Sequence, residues 1–216
     1  MKYTLLNVVF SAFKRKENYS SREYYYKRLS EKNEGLSTYF DLMNVTHKKK
    51  VKTSTRLIHF EGKVSNQLMT IADVIDKYGK PQYKFFKKHL SLSITVLFYK
   101  LMFGSQKVKL ELHFHNNLLF HYNTTFSYLN NESKNLIINI FRKKYLNGDQ
   151  LDIKNDCIVD SKNSSITFSD NMDFIVNYSY CMGSLFFKNI FKELQCEENK
   201  KELLKQRKIK DLYDKL

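Results

Sequence analysis

Between Leu90 and Asn123 apolar and polar residues alternate with a period of two, and this alternation constrains the fold more than any other feature. In "LSLSITVLFYK", residues 90–100, Leu92, Ile94, Val96 and Phe98 fall on one side, with Ser93 and Thr95 on the other. Successive side chains of a strand point to opposite faces, so this pattern is a half-buried strand. "KVKLELHFHNNLLFHYN", 107–123, repeats the pattern on both sides of an Asn pair and reads as a hairpin. A three-residue loop, His115-Asn116-Asn117 with Asn117 left-handed, segregates its faces most cleanly. Phe114 then pairs with Leu118, Leu112 with Phe120 and Leu110 with Tyr122. The opposite face carries Lys109, Glu111, His113, Leu119, His121 and Asn123.

Helices flank these strands. In "TIADVIDKYGKP", 70–81, Thr70 caps and Asp73 answers it in a capping box. Ile71, Val74, Ile75 and Tyr78 make one apolar stripe, and Gly79 and Pro81 end the helix. "NNESKNLIINIFRKKYLNG", 130–148, has an Asn cap, Glu132 in its first turn and Arg142, Lys143 and Lys144 in its last. Leu136, Ile137, Ile140 and Phe141 form its expected buried stripe. Residues 157–181 read as short strands with turns at 160–163 and 169–171. Met172, Phe174, Val176, Tyr178 and Tyr180 share one apolar face of the last. From about 184 the chain is helical, anchored by Phe187, Ile190, Phe191 and Leu194 and highly charged beyond Glu197. Upstream, "TRLIHFEGKV", 55–64, alternates as a strand would, "HKKKVK", 47–52, reads as a solvated loop, and a helix starts at Ser20 or Ser21 and ends by Gly35.

Strands that arrive in hairpins, and not one per helix, predict an α+β fold of antiparallel sheet or sheets with packed helices and a C-terminal helix. The order is compatible with two helix-plus-meander units, roughly 56–126 and 131–181. An apolar fraction of 42%, with 17 Phe and 15 Tyr, supplies a core. The expected organisation is a basic, mixed or helical region 1–50, a core 51–195 and a charged helical tail 196–216.

The run "MTIADVIDKYGKPQY", followed by "SITVLFYK" and "KVKLELHFHNNLLFHYN", resembles the helix–Gly-x-Pro–three-strand segment of bacterial proteins related to the outer-membrane assembly lipoprotein BamE and the β-lactamase inhibitor proteins. Thr70, Asp73, Val74, Gly79 and Pro81 carry the resemblance, which spans residues 68–126. The chain lacks the N-terminal lipoprotein cysteine of such lipoproteins. The resemblance implies a scaffold that binds a partner through its sheet without catalysis, and it transfers no functional residue.

Charge is the other conspicuous property. The net charge is +15, and residues 1–109 hold 22 basic against 8 acidic side chains. Lys77, Lys80, Lys84, Lys87, Lys88, Lys100, Lys107 and Lys109 occur in a stretch without an acid, a candidate surface for an anionic partner, nucleic acid included. Lysine outnumbers arginine 31 to 6, which also fits a coding bias and not the arginine forks that read bases and phosphates.

Candidate chemistry is sparse. Neither a Gly-rich phosphate loop nor a G-x-S-x-G elbow occurs, and residues 149–160 lack the glycine and terminal glutamate of a calcium loop. Cys157, Cys181 and Cys196 form no C-x-x-C pair, so they favour a reducing, cytoplasmic setting over a disulfide framework; Cys157 and Cys181 read as core. Glu111, His113 and His121 could ligate zinc or iron, or supply a base and its orienter, with Glu111 across from His121. A solvated strand face with a Glu–His pair is the simpler expectation for them. Lys2 and the apolar Leu5–Phe13 resemble the start of a signal peptide, but Asn7 interrupts the run and no cleavage pair follows. No 18-residue apolar run predicts a membrane span. The expectation is a protein without cofactor or catalysis that recognises another macromolecule, an unidentified protein foremost, through its sheet or its basic N-terminal half. Binding of nucleic acid through the 77–109 lysines is the alternative.

Overall fold

The computed structural model describes residues 22–32, 39, 49–60, 69–89, 92–103, 106–180 and 185–213 of the 216-residue chain. The signal-like segment 1–16 and Cys181 lie outside the described residues. The chain divides into two units, 1–38 and 39–216. The first contains helix α1, Arg22–Lys32. In it the Arg28 guanidinium donates to the Tyr24 hydroxyl at 3.0 Å and pairs with Glu31 at 3.2 Å, contacts one helical turn apart.

The second unit is built on one eight-stranded sheet. Its strands are β1 (Lys50–Thr53), β2 (Tyr83–His89), β3 (Leu92–Phe103), β4 (Gln106–His115), β5 (Leu118–Phe126), β6 (Asp156–Val159), β7 (Ser164–Asp170) and β8 (Phe174–Tyr180). They lie in the order β1-β6-β7-β8-β5-β4-β3-β2. Every neighbouring pair is antiparallel except β1–β6. Helix α2 (Ile71–Tyr78) precedes the meander β2–β5, and α3 (Asn131–Tyr145) precedes the meander β6–β8. The expected antiparallel sheet with packed helices is present. The two meanders share one sheet because β5 pairs with β8. Helix α4, Leu185–Tyr213, follows and runs without a break through residue 196.

Each face of the sheet carries a buried core. On the first face, Val74 of α2 packs with Leu97, Tyr99, Leu110, Leu112 and Phe114, while Phe141 and Tyr145 of α3 pack with Ile158, Ile166, Phe168 and Val176. On the second face Leu92, Ile94, Val96 and Phe98 are buried, and Tyr39 with Phe186, Phe187 and Ile190 of α4 supply cover. Thus β3 is not half-buried as its alternation predicts; from Val96 to Tyr99 every side chain is buried.

The β4–β5 hairpin also departs from expectation. Its turn has two residues, with His115 paired to Leu118. Asn116 and Asn117 both take positive φ, 49° and 67°, as a type I′ turn requires and Asn tolerates. A bulge follows between the pairs Phe114–Leu119 and His113–His121, leaving Phe120 as the extra residue. That residue restores the alternation the tight turn would have reversed. Leu119, expected with the histidines, joins the α2 core, and Phe120, expected there, lies beside His113. Glu111 faces Asn123 instead of His121, and His113 is the residue opposite His121.

Other segments also depart from expectation. Residues 55–60 are irregular, since their donors find other acceptors: Thr55 N–H the Tyr145 carbonyl at 2.8 Å and Ile58 N–H the Asp160 carboxylate at 2.7 Å. The expected loop instead supplies edge strand β1, and β2, unforeseen, forms the other edge; lysines on both are usual protection of open edges. Met172 lies in the β7–β8 turn and is 99% exposed. Within α3 only part of the expected stripe is buried, with Leu136 at 63% and Ile140 at 53% exposure.

The expected helix ends are present. Thr70 Oγ1 accepts from Asp73 N–H at 3.2 Å, and the Asp73 carboxylate accepts from Thr70 N–H at 2.7 Å. Gly79 has φ 74° and ψ −163°, a region open to glycine rather than the left-handed helical one expected. Thr70→Ala is expected to cost about 1 kcal/mol by loss of the cap. Gly79→Ala is expected to cost on the order of 1–3 kcal/mol through backbone strain alone, since a Cβ there meets nothing within 4 Å. Urea unfolding midpoints check both; unchanged midpoints would show that these ends do not hold α2.

Candidate functional site

The structure brings together Glu111, His113 and His121, but in a buried place. Glu111 and His113 share a face two residues apart on β4, and β5 sets His121 beside His113 with ring centroids 5.0 Å apart. His113 Nε2 lies 3.1 Å from the Glu111 carboxylate, and its Nδ1 lies 2.8 Å from the Tyr39 hydroxyl. One tautomer satisfies both contacts: Nε2–H donates to Glu111, and Nδ1 accepts the Tyr39 proton. His121 Nδ1 lies 3.0 Å from Ser179 Oγ on β8. His115 Nδ1 donates to the Ser93 carbonyl at 2.9 Å. Phe120 and Phe186, 3.7 Å apart, close over this lane.

The expected solvated strand face is instead a largely buried polar network. His113 is 1% exposed and His121 3%. Burial is costly for unpaired polar groups, and here each imidazole has partners. Glu111 is the most accessible member of the set, its side chain 15% exposed against 1% for His113. Among the described residues no group of three His, Cys, Asp or Glu is arranged to hold a metal ion.

Electrostatics agree with a structural role. Burial, and then the neighbouring His113, push the His121 pKa down from 6.5 to about 3, although Glu111 and a hydrogen bond to the Tyr178 backbone oppose the shift. Burial raises the Glu111 pKa, but the hydrogen bond and charge of His113, then Asn123 and His121, outweigh it and leave a net lowering. Burial, with the Glu111 charge, lifts the Tyr39 pKa well above its usual value.

The eight candidate lysines divide between the two sides of the sheet. Lys84 and Lys88 of β2 lie on the first face, the side of α2, which carries Lys77 and is followed by Lys80. Lys87, Lys100, Lys107 and Lys109 lie on the second. Lys87 Nζ sits 5.0 Å from the Tyr39 ring centroid, and Lys100 stands directly opposite Lys109.

A cleft on the first face has no counterpart among the expectations drawn from the sequence. The two helices leave a trough between them with a volume of about 500 Å³. Leu110, Tyr122, Thr124, Val176 and Tyr178 from β4, β5 and β8 form its floor. Phe60 and Tyr78 stand at the α2 side, and Phe103 closes one end with Phe126. The α3 side supplies Ser133, Leu136, Ile140 and Lys144, residues three or four apart and so on one helix face. The available signal was the width of the α3 stripe, since Leu136, Ile137, Ile140 and Phe141 cover more than one contact line. A second, polar hollow at the β1 edge places Lys50, Lys52 and Arg142 among Asp152 and Asp156, whose carboxylates accept from the Lys154 and Asp152 backbone N–H groups.

No described helix is long and apolar enough to cross a membrane. Acid is expected to loosen the histidine lane. The folded His121 pKa lies below the unfolded value, so the unfolded chain binds the proton first and stability falls between about pH 6.5 and 3, by up to about 1.4 kcal/mol per pH unit. The depressed Glu111 adds a loss in the same direction below its ordinary value of 4.5. Urea unfolding at pH 7.5, 6 and 5 checks this, with a shallower slope expected for His121→Gln. An equal slope in that variant would contradict the assignment.

Compared with known proteins, the chain matches no family model, no curated protein and no solved structure.

Proposed function

We propose that this is a non-catalytic binding protein that takes an apolar ligand moiety into the trough between α2 and α3. The observation that carries the reading is the trough itself. Its volume of about 500 Å³ lies within the range of about 300–1,000 Å³ typical of ligand sites. Its lining is mainly aromatic and aliphatic, and Leu136 and Ile140, large apolar side chains, stand exposed at its rim. Exposed apolar surface arranged around a concavity is a common mark of a binding site.

Both walls rest on firm supports. Val74 and Met69 pack beneath the α2 side, and Phe141 and Tyr145 beneath the α3 side, in two separate buried clusters. Little ordering is therefore needed on binding. Recognition through the sheet, without catalysis, is also what the BamE-like resemblance implies. The lysines of residues 77–109 lend less support to a nucleic-acid reading, since they lie on opposite faces of the sheet.

The neutral dye Nile red tests the proposal. Its fluorescence is expected to rise and saturate at one dye per chain. Leu136→Glu and Ile140→Glu together are expected to weaken binding about tenfold, the effect of losing roughly 1.4 kcal/mol of apolar contact. Both positions are exposed, so the variant should fold. A signal that does not saturate, or one the double variant leaves unchanged, would reject the trough as a site.

A further inference from the structure

The geometry points to an anionic amphipath, a long alkyl chain ending in a carboxylate, as the ligand of the trough. The inference rests on the trough being a binding site and adds the chemistry of what it holds.

The trough is long and differs at its two ends. Its α3 wall runs from Ser133 to Lys144, which at the rise of a helix is about 16 Å. At one end Phe103, Phe126 and Gln106 lie near the β3–β4 turn, and the apolar Leu136 and Ile140 follow along the wall. At the other end are Lys144, Tyr145 and His59. An apolar trench that ends in a cation fits a molecule with an apolar body and an anionic end.

Charge along the trough is one-signed. Among the described residues that line it, Lys144 is the lysine, and none is Asp or Glu. Lys77, from the α2 side, adds a second ammonium, which lies 5.4 Å from the Phe60 ring centroid and 5.2 Å from that of Tyr78. A lysine in the last turn of a helix is ordinary, because it meets the negative end of the helix dipole. Lys144 differs in that it also closes the end of an apolar trough, with Nζ held 5.1 Å from the Tyr145 ring centroid. Lys144 is exposed at this end, so its ammonium is open to an incoming carboxylate, which gains a charge-assisted contact there. A neutral chain gains the apolar contacts alone.

Displacement of Nile red by oleate and by oleyl alcohol, both below their aggregation limits, separates the two parts of the idea. Oleate is expected to compete at least tenfold better than the alcohol. Lys144→Gln is expected to remove most of that preference, read as the ratio of oleate to alcohol competition on the same variant. Lys192→Gln, an exposed lysine on α4, controls for the general attraction of a +15 chain and is expected to retain the preference. Equal competition by oleate and alcohol, or a preference that survives Lys144→Gln, would overturn the inference while leaving the apolar site standing. Failure of Nile red itself to saturate would remove the site, and the inference with it.

Discussion

The pairing of β5 with β8 is the interaction on which the rest depends. Six residue pairs, from His121–Ser179 to Phe126–Phe174, join two separate meanders into one sheet. On the first face this contact stacks Tyr122 on Tyr178 with centroids 4.2 Å apart and planes 11° apart, and it places α2 and α3 over adjoining strands. The gap between those helices is the trough. On the second face the same pairing sets His121 against Ser179 and completes the buried polar lane. Loss of β5–β8 pairing would leave each meander with one helix and neither feature formed.

The two faces solve the same problem differently. The histidine face buries polar groups and satisfies them internally: Tyr39, Glu111 and Ser179 answer the imidazoles, and Phe120 and Phe186 pack against each other beside them. Such a network fixes register and side-chain choice, since a one-residue slip would strand several polar groups without partners. The helix face does the reverse. It leaves Leu136 and Ile140 largely uncovered, which costs nothing in hydrogen bonds but forgoes burial that a tighter helix pair would gain. Residues that a compact core would cover are thus arranged around an open trough.

Local signals in the sequence were legible where one physical rule acts alone. The Thr70–Asp73 box, an Asn cap at 130 or 131 and the stop at Gly79–Pro81 follow from unpaired backbone groups at helix ends, and the structure has the box and places the cap at Asn130. The alternation of β3 and β4 revealed strands for the same reason. Register was not legible, because the Asn116–Asn117 turn and the Phe120 bulge offset each other and leave no net break in the pattern. Burial was not legible from polarity, because Glu111, His113 and His121 look solvated until α4 and Tyr39 cover them. The trough was hidden for the opposite reason: Leu136 and Ile140 look like core, and only the spacing of α2 from α3 leaves them bare. Edge strands β1 and β2, rich in lysine, carry little alternation of either kind.

Methyl-resolved NMR during titration with decanol tests most directly whether the trough is the binding face. Shifts are expected to be confined to methyls of Leu110, Leu136, Ile137, Ile140 and Val176, with Ile94, Val96 and Ile190 on the histidine face unmoved. Shifts concentrated on Ile94, Val96 and Ile190, or none on either face, would contradict it.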